Sequence, residues 1–148
     1  MISVAPAPRL PDWEQRLADF LVRHEHRPFE WGEWDCILFA CAAADAMTGH
    51  DAAAAYRGRY TTRRGAARIL RRLGQGTLLA TVDHEFPAKP VARAIRGDLV
   101  WHAGCVGICM GGSAIFLTDP ALADLAGVPR RGSYVMVPRA LWERAWAV

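Results

Sequence analysis

The chain has 148 residues, 52% of them hydrophobic, with a net charge of +3, enough to close one core without disulfides or metals. Its basic residues are almost all arginine and are spread along the chain, which excludes a sequence-independent nucleic-acid footprint. No apolar run approaches the roughly 20 residues that span a bilayer, and MISVAPAPRLPDW lacks the basic and apolar regions of a secretion signal.

A single domain over 1–148 is expected, with 1–10 as an extended N-terminal arm, because Pro6, Pro8 and Pro11 exclude regular helix there. Trp13, Leu17, Phe20 and Leu21 recur at helical spacing, predicting an amphipathic helix of about four turns with Asp12 as candidate cap and a stop at Arg27-Pro28. His24 and His26 fall near its C-terminal end, where the helix dipole favours a positive charge. They read as a solvated terminus, since a metal site would need further ligands.

RPFEWGEWDCILFACAAADAMTG, residues 27–49, is the most informative stretch. Asp35 is a strong N-cap, so Cys36 begins a helix among unpaired backbone N–H groups, a setting that lowers a thiol pKa. The run to about Met47 is apolar nearly all round and predicts an enclosed helix with Gly49 as its left-handed stop. A third helix over Thr62–Leu73 turns Ala66, Ala67, Ile69, Leu70 and Leu73 inward. Arg63, Arg64, Arg68, Arg71 and Arg72 point outward, and without interleaved aromatics they read as a solvated face or a subunit contact. Residues 76–86 predict one more short helix, and Pro87 to Pro90 break regular structure.

From Arg96 the pattern becomes strand-like. Leu99–Trp101, Cys105–Met110 and Ala114–Leu117 are apolar runs separated by glycine-containing turns, an antiparallel meander. Ser133–Val137 is a fourth strand, and Leu141–Trp146 a final short helix or strand end. Helices first and sheet second is an α+β order. Cys36, Cys41, Cys105 and Cys109 sit in apolar contexts and read as reduced, buried thiols, with Cys105 and Cys109 sharing the strand parity that could face Cys36.

WGEWDC, then Gly97-Asp98-Leu99-Val100, then Cys105-Val106-Gly107-Ile108 resemble the motif order of the NlpC/P60 cysteine hydrolases. Over roughly residues 27–148 the chain is similar to small phage and prophage proteins encoded among tail genes. Their strings RPFxWGxxDCxxFA, TGxD, RGxYxT, GAxRxLxRLG, GDxV, GICxG and AWxV all stand in it. The resemblance implies a papain-like α+β fold with Cys36 at the nucleophile position. It also implies that Cys105 replaces the histidine of an HVGI strand, and that an apolar residue near Leu117 or Thr118 replaces the group that would orient that histidine.

Two catalytic roles are then vacant, and the implied function is a structural component of a phage or phage-like tail tip or baseplate. It would be assembled in the host cytoplasm, carried in the virion tail, and docked to other tail or hub proteins. Trp31, Trp34, Asp35, Arg63 and Arg64 are the binding candidates. The alternative is an active peptidase or amidase on peptidoglycan stem peptides, with Cys36 as nucleophile and His102 as displaced base; a cysteine acyltransferase is a third. No cofactor and no metal is expected.

Overall fold

The structure, a computed structural model, describes residues 7–119 and 130–148. Asp35, Thr62 and Thr77 each accept a backbone N–H three residues on, from Leu38, Gly65 and Ala80 at 3.1, 3.0 and 3.1 Å. These side-chain caps open α2 (Cys36–Thr48), α3 (Arg63–Leu73) and α4 (Leu78–Glu85), which follow α1 (Trp13–Arg23). Gly49 closes α2 at φ 78°, as its position in the sequence predicts.

α1 is shorter than expected. Its chain turns at His24, whose N–H returns to the Phe20 carbonyl and whose ring packs on Trp34 at 4.7 Å between centroids. Asp12 makes no side-chain cap bond and pairs instead with Arg16 at 2.7 Å. Burial, then the charges of Arg27 and Arg23, lower the His24 pKa, so the expected helix-end cation is not favoured at that position.

The second half forms β2 (Leu99–His102), β3 (Cys105–Cys109) and β4 (Ser113–Phe116), the expected meander, with β6 (Tyr134–Pro138) alongside β4. The last segment makes a 3-10 turn over Arg139–Leu141 and then β7 (Arg144–Trp146), which lies between β2 and β1 (Ala88–Lys89). With β5 (Arg130–Arg131) at the far edge, the described residues form one antiparallel sheet ordered β1-β7-β2-β3-β4-β6-β5. The two-residue strand β1 falls inside the stretch that its flanking prolines mark as irregular; pairing with β7 makes it a strand.

Strand alternation splits the core. Leu99, Val106, Ile108 and Ile115 face α1 and α2 and join Leu17, Leu38, Phe39 and Met47. Val100, Cys109, Ala114 and Phe116 face the other way, under Trp142. Cys109 is buried within this second cluster, which corrects its expected approach to Cys36; Cys105, at the start of β3, is half-buried against the same cluster. Gly107 lies beneath the Phe116 ring, where a Cβ would come within 2.6 Å.

Residues 7–10 of the expected arm carry no helix or strand and are tied to the domain. The Leu10 N–H bonds the Met47 carbonyl at 2.8 Å, and the Arg9 guanidinium reaches the Val148 and Arg96 carbonyls and the Asp98 carboxylate. Residues 1–6 of the expected arm lie outside the described residues. Asp98, 1% exposed, accepts from Arg9 and from the Val148 N–H through Oδ1, and from Lys89 and the Ile95 N–H through Oδ2. Lys89 is the only lysine in the chain.

Candidate functional site

A tight turn delivers the chain to α2. Glu30 and Trp34 exchange both backbone hydrogen bonds, at 3.0 and 2.8 Å, and Gly32 between them has φ 82°. A Cβ on Gly32 would stand 1.7 Å from the Tyr60 carbonyl oxygen, so both the dihedral and the close approach require glycine. Asp35, 1% exposed, holds this corner together. Its Oδ1 caps α2, while Oδ2 accepts from the Gly32 N–H at 3.1 Å and from the Tyr60 hydroxyl. Burial, then the Asp35 charge, push the Tyr60 pKa up, which keeps the hydroxyl a donor.

Cys36 is the first residue of α2 and is buried, as the cap predicts. Its thiol is hydrogen-bonded to Cys105 at the start of β3. The expected lowering of the Cys36 pKa is reversed. The hydrogen bond to Cys105 and complete desolvation push it well above the usual thiol value; Asp35 adds to this, and only a backbone bond at Val106 opposes it. Cys105 moves the other way, because it receives the Cys36 S–H bond and faces the Arg63 charge, with burial and Asp35 opposing. Cys105 is half-buried, and Cys41 and Cys109 are buried. Burial carries Cys41 up to about 12.

Near neutral pH, iodoacetamide is therefore expected to alkylate Cys105 before Cys36, Cys41 or Cys109, since the thiolate is the reacting species. Peptide mapping of a time course reads the order. The Cys105 rate should rise with pH up to its lowered pKa and level off above it, whereas first labelling at Cys36 would place the thiolate on the helix side.

Both thiols line a cavity of about 270 Å³. Its walls are Ile37 and Cys41 of α2, Ala66, Ile69 and Leu70 of α3, Leu78 and Val82 of α4, and Phe29 and Trp31 from the turn. This explains why no residue of α3 is fully buried: the apolar face of that helix lines the cavity instead of closing on α2. Leu73, expected inward, is 48% exposed, because the cavity wall ends at Leu70 and the last turn runs past it. The five arginines of α3 are exposed, as predicted.

Among the sequence candidates, Trp31, Asp35, Cys36, Arg63 and Cys105 surround this cavity. Trp31 is half-buried, with its ring N–H 3.3 Å from Asp119 and its ring edge-on to Phe29. Arg64 is exposed on α3 and is not part of the cavity wall. Trp34 corrects the expectation of an exposed docking aromatic. It is 4% exposed, packed against Phe20 and His24 at tilted angles and edge-on to Phe39, with the Arg27 guanidinium 4.1 Å above its ring. In a turn this tight one of two nearby tryptophans packs inward, and the sequence alone does not say which.

His102 stands directly across the β2–β3 ladder from Cys105 and is not among the cavity-lining residues. Its Nδ1 is 3.0 Å from the Leu141 carbonyl, and its ring is edge-on to Phe116. Leu117 is buried in the α2-side core and Thr118 is half-buried. Tyr60, the third donor to the Asp35 carboxylate, is a site residue that sequence reasoning misses; its one sequence signal is the RGRYTT string that carries it.

A sequence family described as a domain of unknown function, DUF6950, matches residues 8–148. No curated protein and no solved structure matches the chain.

Proposed function

We propose that this chain, which belongs to the DUF6950 family, is a papain-like domain of the NlpC/P60 type that serves as a structural component of a phage or phage-like tail tip or baseplate and has lost hydrolase activity. The observation that carries this reading is the identity of the group that faces Cys36 across the shared cavity, which is the Cys105 thiol. An amidase needs an imidazole there to take a proton from the nucleophile and return it to the leaving amine. General acid–base assistance of that kind contributes about 10² to 10⁴ in rate.

The helix-borne cysteine facing the start of an antiparallel strand supports the papain-like reading of an α+β chain. Assembly in the host cytoplasm and carriage in the tail belong to the same proposal, as do tail or hub proteins as partners. Trp31, Arg63 and Arg64 are the accessible docking candidates.

A second reading, a cysteine peptidase or amidase on peptidoglycan stem peptides, draws on the cavity that reaches Cys36. Tails assembled with Cys36→Ala separate the two. Normal incorporation with unchanged infectivity is expected. Particles that contain the variant in normal amount but fail to cross the cell wall would instead establish a hydrolase.

A further inference from the structure

Beyond that reading, we propose that Cys36 and Cys105 form a dithiol–disulfide couple, in which Cys105 attacks small disulfides entering the cavity and Cys36 resolves the mixed disulfide. Four observations meet at this pair. The two thiols stand at the first residue of α2 and the first residue of β3, elements that pack against each other, and they interact directly. They differ in access, Cys105 being half-buried and Cys36 buried. Both line an apolar cavity of about 270 Å³, just under the size range of about 300–1,000 Å³ for small-molecule sites. Arg63 lines the same cavity and faces Cys105 with a positive charge, which favours both its thiolate and an anionic disulfide.

The remaining cysteines do not share this arrangement. Cys41 also lines the cavity but is buried, with its pKa pushed up to about 12, and Cys109 is buried at the far end of β3 with its sulfur 3.8 Å from Arg139.

The chemistry balances without a cofactor. The Cys105 sulfur bonds to one sulfur of R–S–S–R, the S–S bond breaks, and its electron pair leaves on the first R–S⁻. Cys36 gives its proton to that leaving thiolate or to water, then bonds to the Cys105 sulfur and expels the second R–S⁻, which is protonated by solvent. Two protein thiols are oxidised to one disulfide, and one external disulfide is reduced to two thiols. The product would tie the first turn of α2 to the first residue of β3.

The probe is 5,5′-dithiobis(2-nitrobenzoate), an aromatic and anionic disulfide whose released thiol is coloured. With the folded protein at neutral pH, the fast phase is expected to release two equivalents, leaving no adduct and a Cys36–Cys105 crosslink in the peptide map. Cys36→Ser should release one equivalent in that phase and retain the adduct on Cys105, and Cys105→Ser should lose the fast phase. Arg63→Ala should slow the fast phase several-fold toward this anionic probe while leaving the crosslink unchanged. A stable adduct on the wild-type protein, a different crosslinked pair, or a fast phase that survives Cys105→Ser would each overturn the proposal. The wild-type result alone decides it should a variant fail to fold.

Discussion

Asp98→Ala is expected to cost about 3–5 kcal/mol of folding stability, the range for removing one member of a buried ion cluster. The reason is what the substitution leaves behind. Arg9 and Lys89 keep their charges beside a site that is 1% exposed, and the N–H groups of Ile95 and Val148 lose their acceptor. Against a typical total of about 5–15 kcal/mol, such a loss leaves the domain marginal at room temperature. Urea unfolding followed by tryptophan fluorescence measures it. Asp98→Asn keeps the shape and two acceptor positions but not the charge, and should fall between wild type and alanine. A loss below about 1 kcal/mol for Asp98→Ala would mean that both cations reach solvent freely, as surface pairs do.

The second large effect is expected at Asp35→Ala, about 3 kcal/mol. The lost α2 cap accounts for about 1 kcal/mol, and the orphaned Gly32 N–H and Tyr60 hydroxyl for about 1–3 kcal/mol each before relaxation. Tyr60→Phe removes one donor without stranding an acceptor that has two other partners, so about 1 kcal/mol is expected there. Because the groups share one carboxylate, the double variant Asp35→Ala/Tyr60→Phe should cost less than the sum of the two singles. Additive losses would show that the Tyr60 hydroxyl is satisfied elsewhere. The same variants probe the site, since loosening this corner moves Cys36 relative to Cys105 and should slow their crosslinking.

Local rules made part of this molecule readable from its sequence. The caps at Asp35, Thr62 and Thr77 act over three residues, and the parity of the meander strands needs only alternation. The α+β order and the buried start of α2 follow from those. What was not legible depends on contacts between distant positions. Cys36 meets Cys105, Asp35 meets Tyr60, and Asp98 gathers Arg9, Lys89 and Val148.

The pKa reversal at Cys36 has the same origin. The helix-terminus rule is local, whereas the hydrogen bond that outweighs it comes from the sheet. The burial of Trp34 is not legible in the sequence because exposure of an aromatic in a turn is set by which side the neighbouring helix occupies, and His24 at the end of α1 covers that ring. For the inward face of α3, periodicity reports which side is apolar; it does not report whether the space beyond is filled.

The position of β7 bears on how the molecule is made. Because Arg144–Trp146 lies between β1 and β2, a chain leaving the ribosome can pair β2, β3 and β4 early, but the Leu99 edge stays open until residue 146 has emerged. Until then β1 has no partner strand, and the backbone groups of β2 are available to any other extended chain. Vectorial synthesis therefore yields the helices and the central meander first and the closed sheet last, with strand exchange between nascent copies as the characteristic hazard of the interval.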